Sequence, residues 1–186
     1  MRNKLFLFVF LFAVLAITDS HAFERKKYNF NSEWRLQIGD FPEAKQSQFD
    51  DSRWKAVTLP HAFNEDEAFK VSIEQLTDTV VWYRKHFRIP ASDKKQKVFI
   101  EFEGVRQAGD FYLNGQLLGK HENGVMAVGF DLTPYIKEGD NVLAVRTDND
   151  WMYREKSTNS KFQWNDRNFN ANYGGLPKNV FLYVTD

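Results

Sequence analysis

AGDFYLNGQLLGKH, residues 108–121, sets two short runs on either side of Asn114-Gly115. Asn-Gly between apolar runs is the strongest local sign of a β-hairpin, because a type I′ turn needs positive φ at both central residues. Ala108 to Leu113 is therefore one strand and Gln116 to His121 its return. The same texture continues in both directions. Lys97 to Phe102 sets Val98, Ile100 and Phe102 against Phe99 and Glu101. Val80 to Arg88 places Val81, Tyr83 and Phe87 on one face and Trp82, Arg84, His86 and Arg88 on the other, and Pro90 stops it. Arg35 to Ile38, Lys55 to Leu59, Val125 to Asp131, Asn141 to Asp148 and Asn179 to Val184 bring the set to about nine strands. Helical signal is confined to one short turn within Phe41 to Ser52 and another at Pro134 to Ile136. Many short strands with frequent turn residues predict an all-β sandwich or barrel. In a sandwich, alternate residues of each strand enter a shared core.

Composition narrows the function classes. The chain has 186 residues, a single-domain length. Lys+Arg and Asp+Glu are 25 each, and this lack of basic excess argues against a nucleic-acid or polybasic membrane-surface role. The absence of Cys removes disulfides, thiolate metal sites and a Cys nucleophile. Four scattered His do not make a metal site, so neither metal nor cofactor is expected. His61, after Leu59-Pro60, reads as a turn histidine, and Trp34, Trp54 and Trp82 read as core anchors. Five Trp, seven Tyr and 18 Phe suit a sugar-binding surface, and equally a β-rich core.

The N-terminus has the pattern of a secretory signal. Arg2 and Lys4 precede an unbroken apolar run, Leu5 to Ile17, and Ser20-His21-Ala22 supplies small residues at the −3 and −1 positions of a signal-peptidase site. As a helix the run rises only ~20 Å, short of the ~30 Å hydrocarbon core. The expected organisation is a signal peptide at 1–22 and one β-sandwich domain at 23–186. The expected location is secreted or periplasmic, with no membrane attachment after cleavage.

Along the remaining chain, local motifs occur in a recognisable order. Phe30-Asn31-Ser32-Glu33-Trp34 is followed by Phe49-Asp50-Asp51-Ser52-Arg53-Trp54-Lys55-Ala56-Val57 and then Leu59-Pro60-His61. Trp82-Tyr83-Arg84-Lys85-His86-Phe87, Phe102-Glu103-Gly104-Val105 and the Tyr112-Leu113-Asn114-Gly115 hairpin come next. Phe130-Asp131-Leu132-Thr133, Gly139 to Arg146 (GDNVLAVR) and Gly174-Gly175-Leu176-Pro177-Lys178-Asn179-Val180 complete the series. Together they resemble the N-terminal sugar-binding domain of glycoside hydrolase family 2, the family of β-galactosidases, β-glucuronidases and β-mannosidases. The departures are Ala62-Phe63 where an acidic-Trp pair is common, Pro177 where Tyr is common, and Val125 in place of a second Gly.

The resemblance implies a jelly-roll β-sandwich. It also implies a parent enzyme that hydrolyses O-glycosyl bonds with retention, using two carboxyls ~5–5.5 Å apart. In the family these lie on a TIM barrel that follows an immunoglobulin-like domain, and such a barrel needs ~250 residues. This chain alone is therefore expected to be non-catalytic, with carbohydrate and those two domains as partners. A free carbohydrate-binding module and a non-functional gene fragment are the alternatives. Glu101 and Glu103 share a strand face and read as a solvated face beside the core.

A sugar site needs planar polar side chains interleaved with aromatic rings. Asp148-Asn149-Asp150-Trp151-Met152-Tyr153-Arg154 and Phe162-Gln163-Trp164-Asn165-Asp166-Arg167-Asn168-Phe169-Asn170 have that mixture, within one long connection from Asn149 to Lys178. Connections of that length are usually functional or disordered, and the aromatics argue against disorder. In the family's β-galactosidases this domain lends an Asp and an Asn to the active site. By resemblance these match Asp148 or Asp150, and Asn64. The expected sugar-facing set is Asn64, Asp148, Asn149, Asp150, Trp151, Arg154, Trp164, Asn165 and Asp166. Packing on a missing domain is the other reading of these aromatics.

Overall fold

The computed structural model describes residues 25–65, 79–90, 96–122, 126–150, 153–154, 156, 158–159 and 173–185. In chain order the strands are β1 (Lys26–Asn29), β2 (Trp34–Ile38), β3 (Lys55–Val57), β4 (His61–Ala62), β5 (Val80–Ile89), β6 (Lys97–Phe102), β7 (Ala108–Leu113), β8 (Gln116–His121), β9 (Val128–Asp131), β10 (Gly139–Asp148), β11 (Gly175–Leu176) and β12 (Val180–Thr185). One sheet runs β1-β12-β6-β9 and the other β3-β2-β5-β10-β7-β8, while β11 and β4 form a separate pair. All pairings between the strands are antiparallel. The result is a jelly-roll β-sandwich.

The deciding hairpin forms as its residues require. Asn114 and Gly115 both have positive φ, 53° and 86°, and β7 and β8 pair across them. The Asn114 amide also fixes the neighbouring turn: its Nδ2 donates to Asn141 Oδ1 at 2.8 Å, and its Oδ1 accepts from the Val142 N–H at 3.0 Å.

Alternation then builds the core. Val98, Ile100 and Phe102 of β6 and Val180, Leu182 and Val184 of β12 face Tyr83, Phe111, Leu143 and Val145 of the larger sheet. Each fully buried aliphatic or aromatic side chain contributes ~1.5–3 kcal/mol. Trp34, Trp54 and Trp82 are all buried.

Two features go beyond the expected nine strands. β1, β4 and β11 are too short and too polar or glycine-rich to show a period of two, and pairing with distant strands makes them strands. The second feature lies on the outer face of the larger sheet. The segment from Asp40 to Trp54, including a 3-10 helix at Pro42–Lys45, folds over it and forms a second small core of Ala44, Trp54, Trp82 and Ala144. Arg84, on the polar face by alternation, is consequently fully buried. It satisfies its guanidinium on Asp51 Oδ2 at 2.7 Å and on the carbonyls of Ala44, Gln46 and Phe49. Among the described residues, no helix is long and apolar enough to cross a membrane.

Candidate functional site

β10 delivers the candidate site to one end of the sandwich, and its alternation sorts the residues there. Ala144, Arg146 and Asp148 face outward, whereas Val145, Thr147 and Asn149 face the core. Arg146 makes a two-pronged ion pair with Asp40, at 3.0 and 2.7 Å, and reaches Asp148 Oδ2 at 3.3 Å. The Arg146 hydrogen bond holds the Asp40 carboxyl below its ordinary range, and the same bond raises Arg146. Asp148 is thereby fixed at the strand end, and its Oδ1 accepts the Asp150 N–H at 3.3 Å. Both aspartates are partly exposed.

Asn149 points the other way and is fully buried. Its Nδ2 donates to Thr147 Oγ1 at 3.1 Å, and its Oδ1 accepts from the Gly175 N–H at 3.1 Å. Asn64 is also buried, and its Oδ1 accepts from the neighbouring Gly174 N–H at 3.0 Å. Both residues were expected to face sugar; the geometry gives them bracing roles, holding the returning end of the long connection beside its start. Gly174-Gly175 suits that clamp because neither position has room for a Cβ. At Gly174 it would collide with the Phe63 ring and the Asn149 amide, and at Gly175 with the Tyr83 hydroxyl.

The outgoing end is anchored too. Tyr153 donates its hydroxyl to Glu122, just past β8, and the Lys156 N–H reaches the same carboxylate at 3.3 Å. Burial, reinforced by Glu122, raises the Tyr153 phenol, so it stays a donor at neutral pH. Arg154 is exposed and donates to the Asn159 carbonyl at 3.0 Å. Trp151, Trp164, Asn165 and Asp166 lie outside the described residues. The structure therefore brings Asn64, Asp148, Asn149 and Asp150 to one end of the sandwich.

Arg106 and Gln107 join this end without having been expected there. Arg106 pairs through its backbone with Gly175, and burial lowers its guanidinium pKa. The Gln107 N–H donates to the Asp148 carbonyl at 3.2 Å. The Gln107 side chain is 1% exposed, and its amide has no hydrogen-bond partner among the described residues. Their position directly after the Phe102-Glu103-Gly104-Val105 motif was the available signal.

Other polar groups make hydrogen bonds within the frame. His61 Nδ1 lies 3.2 Å from the Tyr83 hydroxyl. Glu101 accepts from the Tyr183 hydroxyl at 2.7 Å, and Glu103 from Asn179 Nδ2 at 2.9 Å. Among the described residues, no group of three or more His, Asp or Glu could hold a metal ion. The end of the sandwich offers hydrogen-bond donors and acceptors on a rigid frame, which suits binding and orienting a polar ligand.

An antiparallel sandwich of this topology belongs to the broad class of jelly-roll domains. The sequence model of "Glycosyl hydrolases family 2, sugar binding domain" matches residues 20–185, and the chain belongs to this family as its sugar-binding domain. A β-glucuronidase of Formosa agariphila is 39% identical over 173 residues, covering 88% of this chain and 17% of the relative. A β-galactosidase of Thermoanaerobacter pseudethanolicus is 39% identical over 126 residues, covering 67% of this chain and 17% of the relative. The crystal structure of a Bacteroides uniformis β-glucuronidase superposes with a TM-score of 0.74 at 26% identity, covering 87% of this chain and 18% of that one. The chain thus spans about a sixth of the length of the relatives it matches.

Proposed function

We propose that this chain is the exported, substrate-orienting unit of a family 2 glycosidase acting on β-glucuronides or β-galactosides. In this reading the two carboxyls of the retaining reaction belong to a TIM barrel, and an immunoglobulin-like domain lies between barrel and sandwich. The chain itself supplies hydrogen bonds rather than proton transfer. Asp148 and Asp150, with Arg154 and the aromatic-rich connection, face the sugar. Asn64, Asn149 and Gly174-Gly175 hold that connection in place. The supporting observation is the anchoring: both ends of the connection are tied to one end of the sandwich, beside the two partly exposed aspartates. The same reading places residues 1–22 in the export signal and the protein outside the cytoplasm, so the exported chain would begin at Phe23.

A chimera tests it. Residues 23–186 replace the matching segment of the Formosa agariphila β-glucuronidase, and hydrolysis of an aryl β-glucuronide is measured. The chimera should be active. Asp148→Ala or Asp150→Ala should lower kcat/KM roughly tenfold or more, the loss expected for a hydrogen bond to a charged group (~1.5–3 kcal/mol). Unchanged kinetics in both variants, with the fold intact, would refute the assignment.

A further inference from the structure

The two sheets treat their outer faces differently. The larger sheet is covered by its own Asp40–Trp54 segment. On the four-stranded sheet, no corresponding apolar cluster forms among the described residues, although its outward positions carry aromatics. The register gives two ranks across this face. One rank is Lys27, Tyr183, Phe99 and Asp131; the other is Asn29, Phe181, Glu101 and Gly129. The first rank has two aromatic residues in its middle and charged residues at its rims, and the second sets Phe181 beside Glu101. Four strands at ~4.8 Å spacing make such a rank about 14 Å long.

The polar groups are arranged on the rings. The Arg25 guanidinium lies 4.0 Å above the Tyr183 ring, and Lys27 Nζ lies 3.6 Å above Phe181. Arg25 is exposed and makes no ion pair among the described residues. Glu101 is partly exposed, and its Oε2 accepts from the Tyr183 hydroxyl, which orients the carboxylate. Asp131 is oriented the same way by the Thr133 N–H at 2.8 Å. Gly129, opposite Glu101, has no side chain to fill the space. Between these groups lies an open depression of about 570 Å³, lined by Arg25, Phe99, Glu101, Gly129, Asp131 and Tyr183. That volume is within the range of small-ligand clefts (~300–1,000 Å³).

We infer that the outer face of the four-stranded sheet is a second, non-catalytic carbohydrate site, which takes a short stretch of a glycan chain. The C–H face of a pyranose lies on Phe99. Its hydroxyls donate to Glu101 and Asp131, and the Arg25 edge donates to a ring hydroxyl or to the carboxylate of a uronic acid. The complementarity is chemical: planar donors and acceptors of both signs surround an aromatic plate, whereas a purely apolar protein partner would leave Arg25, Glu101 and Asp131 desolvated and unmatched. This inference shares its ligand class with the proposed function but not its residues.

The test is calorimetric titration of the full chain with trigalacturonic acid and with β-1,4-galactotriose. At least one should bind, and the two arms distinguish an acidic from a neutral glycan. Arg25→Ala should weaken binding at least fivefold and Phe99→Ala at least tenfold. Lys55→Ala, an exposed position on the larger sheet and part of neither site, should leave it unchanged. Arg25 is exposed, so its variant should retain the parent melting temperature even if Phe99→Ala does not. Failure of the wild type to bind either sugar would overturn the inference, as would binding that survives Arg25→Ala and Phe99→Ala. If Arg154→Ala alone abolishes binding, this site is refuted while the proposed function stands. Analytical ultracentrifugation showing a dimer that Arg25→Ala dissociates would also overturn it, by making the face an interface between two copies.

Discussion

Gly175 stands at φ +100°, with the Tyr83 hydroxyl where a Cβ would go. Both facts oppose any side chain: the conformation is strained for an L-residue, and overpacking a tight site costs ~1–3 kcal/mol. Gly175→Ala should therefore destabilise the fold by about 2–4 kcal/mol in urea melts. Adding Tyr83→Phe should recover part of that loss, because it removes the colliding oxygen while leaving the backbone strain. Two independent, additive effects would show that the collision is not the cause. Gln107 predicts the opposite sign. Its buried amide lacks a partner among the described residues, and removing an unsatisfied polar group can be neutral or stabilising. Gln107→Leu should leave the melting temperature unchanged or raise it, by up to ~1 kcal/mol of stability. A loss above ~1 kcal/mol would mean that the amide is satisfied in the folded protein.

At the scale of elements, β5 shows what alternation can and cannot reveal. It separates Val81 and Tyr83 from Trp82 and Arg84, and the structure keeps that separation. It carries no information about whether the second face meets water. Here it meets the Asp40–Trp54 segment, and the buried Arg84–Asp51 pair joins strand to cover. Breaking such a pair by removing one partner costs ~3–5 kcal/mol, because the other charge is left buried. Arg84→Met should lose about that much by chemical denaturation, and Arg84→Met with Asp51→Leu should lose less than Arg84→Met alone. The hairpin at Asn114-Gly115 was legible because its signal is local. The short strands β1, β4 and β11 were not, since each exists through a partner far along the chain. The candidate site divides in the same way. Asp148 ends β10 and Asp150 follows it, both partly exposed, and the alternation of that strand is a local signal. The inward turn of Asn149, and the meeting of Asn64 with Gly174, depend on long-range packing that no local motif encodes.

At the scale of the whole molecule, charge balance and a few depressed carboxyls set the response to pH. With a sequence pI near 6.9, the chain carries almost no net charge at neutral pH, so its self-association should be greatest there. Stability follows a different rule. Burial alone would raise the Asp51 carboxyl, but its hydrogen bonds from Arg84 and His86 outweigh that effect and hold it below the ordinary value. Arg146 does the same for Asp40. A folded pKa below the unfolded value means that the folded state binds fewer protons, so stability rises with pH across that interval. The contribution is complete above the unfolded Asp value of ~3.9 and disappears as the pH falls through the folded values. Urea midpoints should therefore be flat from about pH 7 to pH 5 and drop steeply below about pH 4. Asp51→Asn should be less stable than the parent at pH 7, and its midpoint should fall less between pH 5 and pH 3, because the group that must be protonated is gone. Parallel acid limbs in parent and variant would show that the Asp51 cluster does not govern acid unfolding.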